Sequence, residues 1–211
     1  IFTDTPISIS SDVVPEMQEY ERTETTVVNS YVRPEVASYV SNLQAALDDK
    51  MGPDTQLSIL RSDGGLASAR ASAESPVNML MSGPAGGVSG AIYFCSRAGY
   101  DNILTCDMGG TSTDVFCVAA AEDAALRLVQ EQTDIAGLQL LAPRLPIETV
   151  AAGGGSVLHR DGDRLRVGPR SAGARPGPAC YRAGGPLTIT DANLLLGRLQ
   201  LHRFPSVFGA Q

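Results

Sequence analysis

The residues best suited to chemistry stand together between positions 107 and 114, where the sequence reads Asp-Met-Gly-Gly-Thr-Ser-Thr-Asp. Paired glycines let the backbone bend so that consecutive N–H groups point into one concavity, and the hydroxyls that follow add donors, which suits an anion such as phosphate. Asp107 and Asp114 would repel that anion, so they fit if a divalent cation or its waters lies between. The alternative is a hairpin built from ordinary turn-forming residues, and the pattern alone leaves both open.

Two further glycine segments could present backbone donors. The segment Gly153-Gly154-Gly155-Ser156 could bring N–H groups near a ligand, or it could form a flexible or tightly packed connection. The segment Gly83–Gly87, at a predicted helix start, suits either an anion or close packing of the helix on a sheet. Asp191 fits a helix cap better than a catalytic acid, and the isolated His159 and His202 fit surface or packing roles.

Short strands are expected to hold the acidic turn in place. Apolar runs at Ile103–Cys106 and Val115–Ala119 flank it and predict strands on either side. Further strands are predicted over residues 57–60, 125–130, 138–141, 157–159 and 164–167. A stretch rich in glycine and proline, residues 168–185, predicts a long loop that could border a substrate site.

Helices are predicted where apolar residues recur at spacings of three and four. This pattern covers residues 11–50, with a cap at Ser11-Asp12 and a kink or new start at Pro34. Ser82 is expected to cap a second helix that runs to Ser96. A final helix, capped by Thr190 or Asp191, is predicted to run to Leu199. Strands and helices together predict an α/β protein.

Composition excludes several classes of protein. The chain has 211 residues, a formal net charge of −7 and no run of Lys or Arg, so no nucleic-acid partner is expected. No apolar run reaches the roughly 18 residues that a membrane span requires. The chain starts without methionine or the pattern of a signal peptide, and we expect it to be an internal piece of a longer protein.

The cysteines favour a reducing compartment. None of the four forms a C-x-x-C pair, so a structural zinc site is not expected. Cys106 and Cys117 lie in apolar runs and are expected to be buried free thiols. A cytoplasmic location follows as an expectation.

Four blocks of sequence follow one another in order: Ser82–Gly87 leading into Asp107–Asp114, Ala152–Ser156, Val167–Tyr181 and Thr190–Leu194. They resemble the hydantoinase A/5-oxoprolinase family, and the similarity covers nearly the whole chain. This family is a branch of the actin-like ATPase superfamily and has the acetone carboxylase beta subunit as a relative.

The resemblance implies an actin-like ATPase (ribonuclease H-like) lobe, with a mixed sheet and packed helices. ATP would bind between two such halves, the first of which begins with its own Gly-Gly-Thr phosphate loop. This sequence holds no second copy of that loop. We therefore expect residues 81–211 to form the second lobe and residues 1–80 a helical and α/β segment before it, and we expect the isolated piece to be inactive.

The resemblance also implies roles for individual residues. Asp107 and Asp114 would be catalytic, Asp107 as the carboxylate that is linked to the metal or positions water, and Asp114 by orienting the loop. The implied cofactors are ATP and Mg²⁺ or Mn²⁺. The expected phosphate binders are Gly109, Gly110, Thr111, Ser112 and Thr113, and Gly153, Gly154 and Gly155 are added from their pattern.

The chemistry implied is ATP-driven opening of a cyclic amide of the hydantoin or 5-oxoproline type. Phosphorylation of the ring carbonyl oxygen would give an activated imidate that water attacks. The implied partners are the cyclic amide and a second, hydantoinase B-like subunit. Two alternatives stay open: an acetone carboxylase-type beta subunit, or a fragment that contributes only an assembly surface. The sequence specifies neither the cyclic amide nor the oligomer.

Overall fold

The computed structural model describes residues 5–119, 129–135 and 137–203. The helices are α1 (Ser10–Val13), α2 (Glu19–Met51), α3 (Ala69–Glu74), α4 (Ser82–Arg97) and α5 (Ile189–Leu195), with 3-10 turns at Pro76–Met79, Ala179–Tyr181 and Leu201–Arg203. The strands are β1 (Ser58–Leu60), β2 (Leu66–Ser68), β3 (Ile103–Met108), β4 (Thr113–Val118), β5 (Thr133–Ile135), β6 (Leu138–Leu140), β7 (Glu148–Val150), β8 (Ser156–Asp161) and β9 (Arg164–Ser171). The α/β class is as predicted.

The chain forms two compact units. The first comprises residues 1–103 and 118–146, and the second comprises residues 104–117 and 147–211. The predicted boundary at residue 80 lies inside the first unit, and the division into 1–80 and 81–211 stays a prediction.

The sheets are small. β1 pairs with β2, β5 with β6 and β8 with β9, while β3, β4 and β7 lie in that order in one three-stranded sheet. The registers of β1–β2, β4–β7, β5–β6 and β8–β9 are all antiparallel. The predicted strands at 57–60, 103–106, 115–119, 138–141, 157–159 and 164–167 are present, with shifted ends. β2, β5 and β7 were not predicted, and most of the strand predicted at 125–130 lies outside the described residues.

Pro34 does not start a new helix, which was one of the two outcomes predicted for it. Helix α2 runs through it as one element of 33 residues. A proline inside a helix costs about 3 kcal/mol because it removes a hydrogen bond and crowds the preceding turn. Tertiary bonds on both sides of Pro34 offset this: Asn29 Nδ2 donates to Glu74 O at 3.2 Å, and Gln44 Nε2 donates to Thr55 O at 3.0 Å.

The predicted helix starts were shifted by one to three residues. α1 has Ile9 at its N-cap position instead of Ser11-Asp12. α4 has Met81 there and no side-chain cap. The Met81 N–H itself donates to Ser62 Oγ at 2.9 Å. The N-cap of α5 is Thr188, and the helix ends at Leu195 instead of Leu199.

The first unit is held together by buried polar side chains of α2 as well as by apolar packing. Val77, Leu140 and Ala142 form an apolar cluster. Beside it, Thr25 Oγ accepts from Leu141 N at 2.9 Å, and Asn29 Oδ1 accepts from Val77 N at 3.2 Å. Thr25 and Asn29 are both 0% exposed, so these bonds satisfy backbone groups that water cannot reach.

We expect Asn29→Ala to lower the free energy of local opening around residues 74–79 by about 2–3 kcal/mol, because it leaves Val77 N–H and the Glu74 carbonyl without partners in a buried site. Hydrogen exchange of the intact protein measures this. Ser30→Ala is the control, since its exposed hydroxyl donates only to Thr26 O within the same helix. Equal exchange in the two variants would contradict the assignment.

Candidate functional site

The acidic turn connects two adjacent strands of the second unit. Residues 109–112 join β3 to β4, and Gly109 N–H donates to Ser112 O at 2.9 Å, which closes the turn. Gly109, Gly110 and Thr111 are exposed and Ser112 is half-buried. The turn therefore presents a backbone surface to solvent at the end of a sheet.

The Gly153–Gly155 segment supports this turn from one side. Gly154 N–H donates to Gly109 O at 3.0 Å, and Gly155 N–H donates to Gly110 O at 2.6 Å. Gly153 N–H donates to Ser156 Oγ at 3.0 Å. All three amides thus bond to protein oxygens, and these contacts match the tightly packed connection that was the alternative to ligand binding.

These bonds fix the direction of the peptide groups in the turn. The peptides that follow Gly109 and Gly110 are trans, so each C=O points opposite to the N–H of the next residue. Because both carbonyls point at the Gly153–Gly155 segment, the N–H groups of Gly110 and Thr111 point away from it. Among the described residues, no acceptor is hydrogen-bonded to either N–H. Two successive free donors on one exposed surface are what an oxyanion binds.

Close backbone contact explains the glycines of the supporting segment. A Cβ on Gly153 would lie 2.8 Å from Gly109 O, and one on Gly155 would lie 2.7 Å from Gly110 O. A Cβ on Gly154 would lie 2.8 Å from Thr190 Oγ1. Any larger residue would push the segment off the turn or off helix α5, whereas Gly110 has nothing within 4 Å of its added Cβ.

The two acidic residues that flank the turn differ in environment. Asp114, on β4, accepts a hydrogen bond from Thr149 Oγ1 of β7 at 2.7 Å, and the two residues are directly paired in the sheet. Asp107, at the end of β3, is exposed and makes no hydrogen bond or ion pair with another described residue. Asp114 is therefore held in place, while the Asp107 carboxylate is available to a ligand.

The hydroxyl residues of the turn also separate into two kinds. Thr113 is buried, and its hydroxyl donates a short hydrogen bond to Ala152 O, so it joins β4 to the supporting segment. The hydroxyls of Thr111 and Ser112 make no hydrogen bond with another described residue. Only these two are free to donate to a bound anion.

The supporting segment is itself anchored. The N–H and the hydroxyl of Thr190, in α5, both donate to Gly154 O at 2.8 Å. Ser156 N–H donates to Gly153 O at 3.0 Å, and Ala172 N–H donates to Gly155 O at 2.8 Å. Each carbonyl of the three glycines therefore accepts a hydrogen bond from a residue outside the turn.

Asp191 organises the start of α5, in agreement with the structural role predicted for it. Its carboxylate accepts from Thr188 N at 2.7 Å, in a capping box with Thr188, and from Cys180 N at 2.7 Å. Burial alone would raise its pKa, but hydrogen bonds from Cys180 and Thr188 outweigh this and hold the pKa of Asp191 below 3.8. Its contribution to stability is therefore present above pH 3.8 and is lost as the pH falls through the lower folded-state value.

Cys180 lies beside this carboxylate. Burial, followed by the hydrogen bond and the negative charge of Asp191, raises the pKa of the Cys180 thiol from 9.0 to about 11. No sequence pattern signalled this pair, because the two residues are brought together by the 3-10 turn at Ala179–Tyr181. The expectation that Cys106 and Cys117 are buried was wrong: both are exposed on their strands.

The other predicted sites show fewer features of a binding site. In Gly83–Gly87, the Cβ position on Gly86 lies 2.9 Å from Leu60 Cδ2, which supports close packing of α4 on β1. Within the described part of the chain, no group of three or more His, Cys, Asp or Glu side chains comes together as a metal cluster. His159 and His202 are exposed. None of the described helices is long and apolar enough to cross a membrane.

The fold defines a class, the mixed α/β lobes of the actin-like ATPase type, and two solved structures share this fold. Nucleotide-free acetone carboxylase has a TM-score of 0.76 and 31% identity, over 92% of this chain and 27% of its own. The ATP-dependent caprolactamase from Pseudomonas jessenii has a TM-score of 0.68 and 40% identity, over 90% of this chain and 27% of its own.

Sequence comparison identifies the family. The hydantoinase/oxoprolinase family model matches residues 22–211, and this chain belongs to that family. The 5-oxoprolinase of Saccharomyces cerevisiae is 43% identical over 96% of this chain. Caprolactamase subunit alpha of Pseudomonas jessenii is 40% identical over 89% of it. The chain spans 15% of the length of the first and 27% of the second.

We expect Gly155→Ala to destabilise the turn by about 1–3 kcal/mol, because the new methyl group would overlap Gly110 O. Gly110→Ala, which adds the same methyl group in open space, is the matched control and should stay within about 0.5 kcal/mol of the wild type. Hydrogen exchange over residues 109–113 of the intact protein checks both. Equal effects would mean that the two segments are not packed as described.

We expect Cys180 to resist alkylation up to pH 9 and to react as the pH rises towards 11, since the thiolate is the nucleophile. The thiol form contributes its full stabilisation below the unfolded pKa of 9.0, and this is lost as the pH rises through about 11. Asp191→Asn should shift the alkylation profile to lower pH. Mass spectrometry resolves Cys180 from the exposed Cys106 and Cys117; a profile that the substitution leaves unchanged would contradict the pairing.

Proposed function

We propose that the turn at residues 107–114 binds the phosphates of ATP, in a protein that uses ATP to open a cyclic amide. The observation that carries the proposal is the pair of outward N–H groups at Gly110 and Thr111, which lack partners among the described residues. Oriented backbone amides bind an anion without any basic side chain, which suits a chain with a net charge of −7.

The residues of the turn then have distinct tasks. Gly110 and Thr111 donate backbone N–H groups to phosphate oxygens, and the hydroxyls of Thr111 and Ser112 add further donors. Gly109 and Thr113 shape the turn through bonds to Ser112 O and Ala152 O. Gly153–Gly155 lie on the opposite side of the turn, where the N–H groups of Gly154 and Gly155 orient the peptide groups of Gly109 and Gly110. Direct contact of those three residues with ATP stays a prediction.

Asp107 is the residue proposed to face a divalent cation, Mg²⁺ or Mn²⁺. Magnesium usually keeps several waters and takes one or two carboxylates together with the phosphates of its nucleotide. One exposed carboxylate beside the phosphate-binding amides fits that donor set, and no preformed metal cluster is required. When bound, the cation would neutralise charge on the phosphates. Asp114, held by Thr149, would keep β4 and the turn in place.

The substrate is proposed from the family. Two relatives named for cyclic amides, 5-oxoprolinase and caprolactamase, are 43% and 40% identical to this chain. A lactam is a poor electrophile, and transfer of the γ-phosphoryl group of ATP to its carbonyl oxygen makes the ring carbon open to attack by water. The transfer releases ADP. Water then adds to the ring carbon, the C–N bond breaks and the ring nitrogen takes a proton, which leaves an acyl phosphate. A second water hydrolyses this acyl phosphate to the carboxylate and inorganic phosphate. Which lactam is used stays open.

A carboxylase of the acetone type is the second candidate. Acetone carboxylase has the higher TM-score, 0.76 against 0.68, but the lower identity, 31% against 40%. Because both relatives share this fold, the comparison does not favour carboxylation. The whole protein is proposed to work with a second, hydantoinase B-like subunit, in line with a relative that is itself named as a subunit. A cytoplasmic location stays a prediction.

We expect Mg-ATP to bind the intact protein and Asp107→Asn to weaken this binding about 10-fold or more, because the cation loses a carboxylate partner. Equilibrium dialysis with labelled ATP, with and without Mg²⁺, measures the effect. The matched control is Asp101→Asn, an exposed acid that precedes β3. Absence of ATP binding in the wild type, or equal loss in both variants, would overturn the proposed site.

The substrate class is tested with the same protein and its co-purified partners. Release of ADP that depends on 5-oxoproline, caprolactam or hydantoin, with a ring-opened product, supports the amide hydrolase. ADP release that depends on acetone and bicarbonate supports the carboxylase instead.

A further inference from the structure

We propose that the hydroxyl of Thr190 is a positioning group for the phosphate-binding turn, acting through the peptide groups of Gly154 and Gly110. The inference rests on the proposed function, since it concerns how well the turn binds an anion. Thr190 lies in α5 and belongs to none of the segments that form the turn itself.

The connection is a continuous series of hydrogen bonds. The N–H and the hydroxyl of Thr190 both donate to Gly154 O at 2.8 Å. The same peptide group carries Gly155 N–H, which donates to Gly110 O at 2.6 Å. The peptide group of Gly110 carries, in turn, Thr111 N–H, which is one of the two outward donors.

The direction of these bonds matters because hydrogen bonds in series polarise one another. Each peptide group accepts on its carbonyl side and donates on its N–H side, so the peptide dipoles add along the series. The second donor on Gly154 O therefore makes Gly155 N–H, and then Thr111 N–H, better donors. A neighbouring series runs from Ser156 N–H through Gly153 O and Gly154 N–H to Gly109 O, and ends at the N–H of Gly110.

Of these two series of hydrogen bonds, only the one that begins at Thr190 includes a side chain, so it can be tested by substitution. Backbone bonds cannot be removed by substitution, whereas Thr190→Val removes the hydroxyl and keeps the size and β-branching of the side chain. The Thr190 N–H bond remains, so the variant is expected to fold. Thr190→Ser keeps the hydroxyl and should behave like the wild type.

The turn should bind ATP more weakly, by about 3- to 10-fold, in Thr190→Val, as expected for one neutral hydrogen bond. Hydrogen exchange of Gly155 N–H, which is bonded to Gly110 O, should also be faster in the absence of nucleotide. Thr26→Val is the matched control, because it removes a half-buried hydroxyl that donates to Arg22 O in α2. It should change neither ATP affinity nor exchange at Gly155.

The outcomes separate this inference from the proposed function. If the wild type fails to bind ATP, the proposed function falls, and faster exchange in Thr190→Val still supports the mechanical role of Thr190. If the wild type binds ATP but Thr190→Val binds it equally well, the positioning role is overturned. Loss of binding in Thr190→Ser as large as in Thr190→Val would also overturn it, because the hydroxyl would then not be the cause.

Discussion

The carbonyl groups of Gly109 and Gly110 accept hydrogen bonds from the amides of Gly154 and Gly155, and the candidate site depends on this contact. Two stretches of backbone approach so closely that a methyl group on Gly153 or Gly155 would overlap the turn. Because the carbonyls point at the supporting segment, the planar peptide group turns the N–H donors to the opposite, exposed surface. The proposed phosphate site has no basic side chain and requires this orientation, because the backbone N–H groups must then face the anion.

Two further hydrogen bonds in the second unit support the contact between the turn and the Gly153–Gly155 segment. Thr113 joins β4 to the supporting segment, and Thr190 joins that segment to α5. Asp191 then fixes the start of α5 by accepting from Thr188 and Cys180, and these bonds keep its carboxylate ionised although it is 5% exposed. A substitution at Asp191 would therefore affect the turn by disturbing the start of α5, although Asp191 has no chemical role of its own.

This chain belongs to the hydantoinase/oxoprolinase family, it is similar to a 5-oxoprolinase and a caprolactamase, and it shares its fold with acetone carboxylase. A phosphate-binding turn, as proposed above, would serve either kind of reaction, whereas the bond that is made or broken differs between these relatives. The proposed site therefore concerns the use of ATP, and it does not distinguish a lactam from a ketone as the substrate.

The sequence alone determined the position of the candidate phosphate-binding turn and most of the strands near it. An acid, paired glycines and hydroxyls between two apolar runs predicted a turn between strands, and Asp191 was correctly expected to serve a helix start. These features are local, because turn formation and strand pattern depend on neighbours in the chain. Tertiary structure decided which groups are free to act. The packing of Gly153–Gly155 on the turn, the bond of Thr190 to Gly154 and the bond of Met81 to Ser62 all join segments that are distant in the chain. Residue types alone do not reveal which backbone groups such a distant partner will occupy.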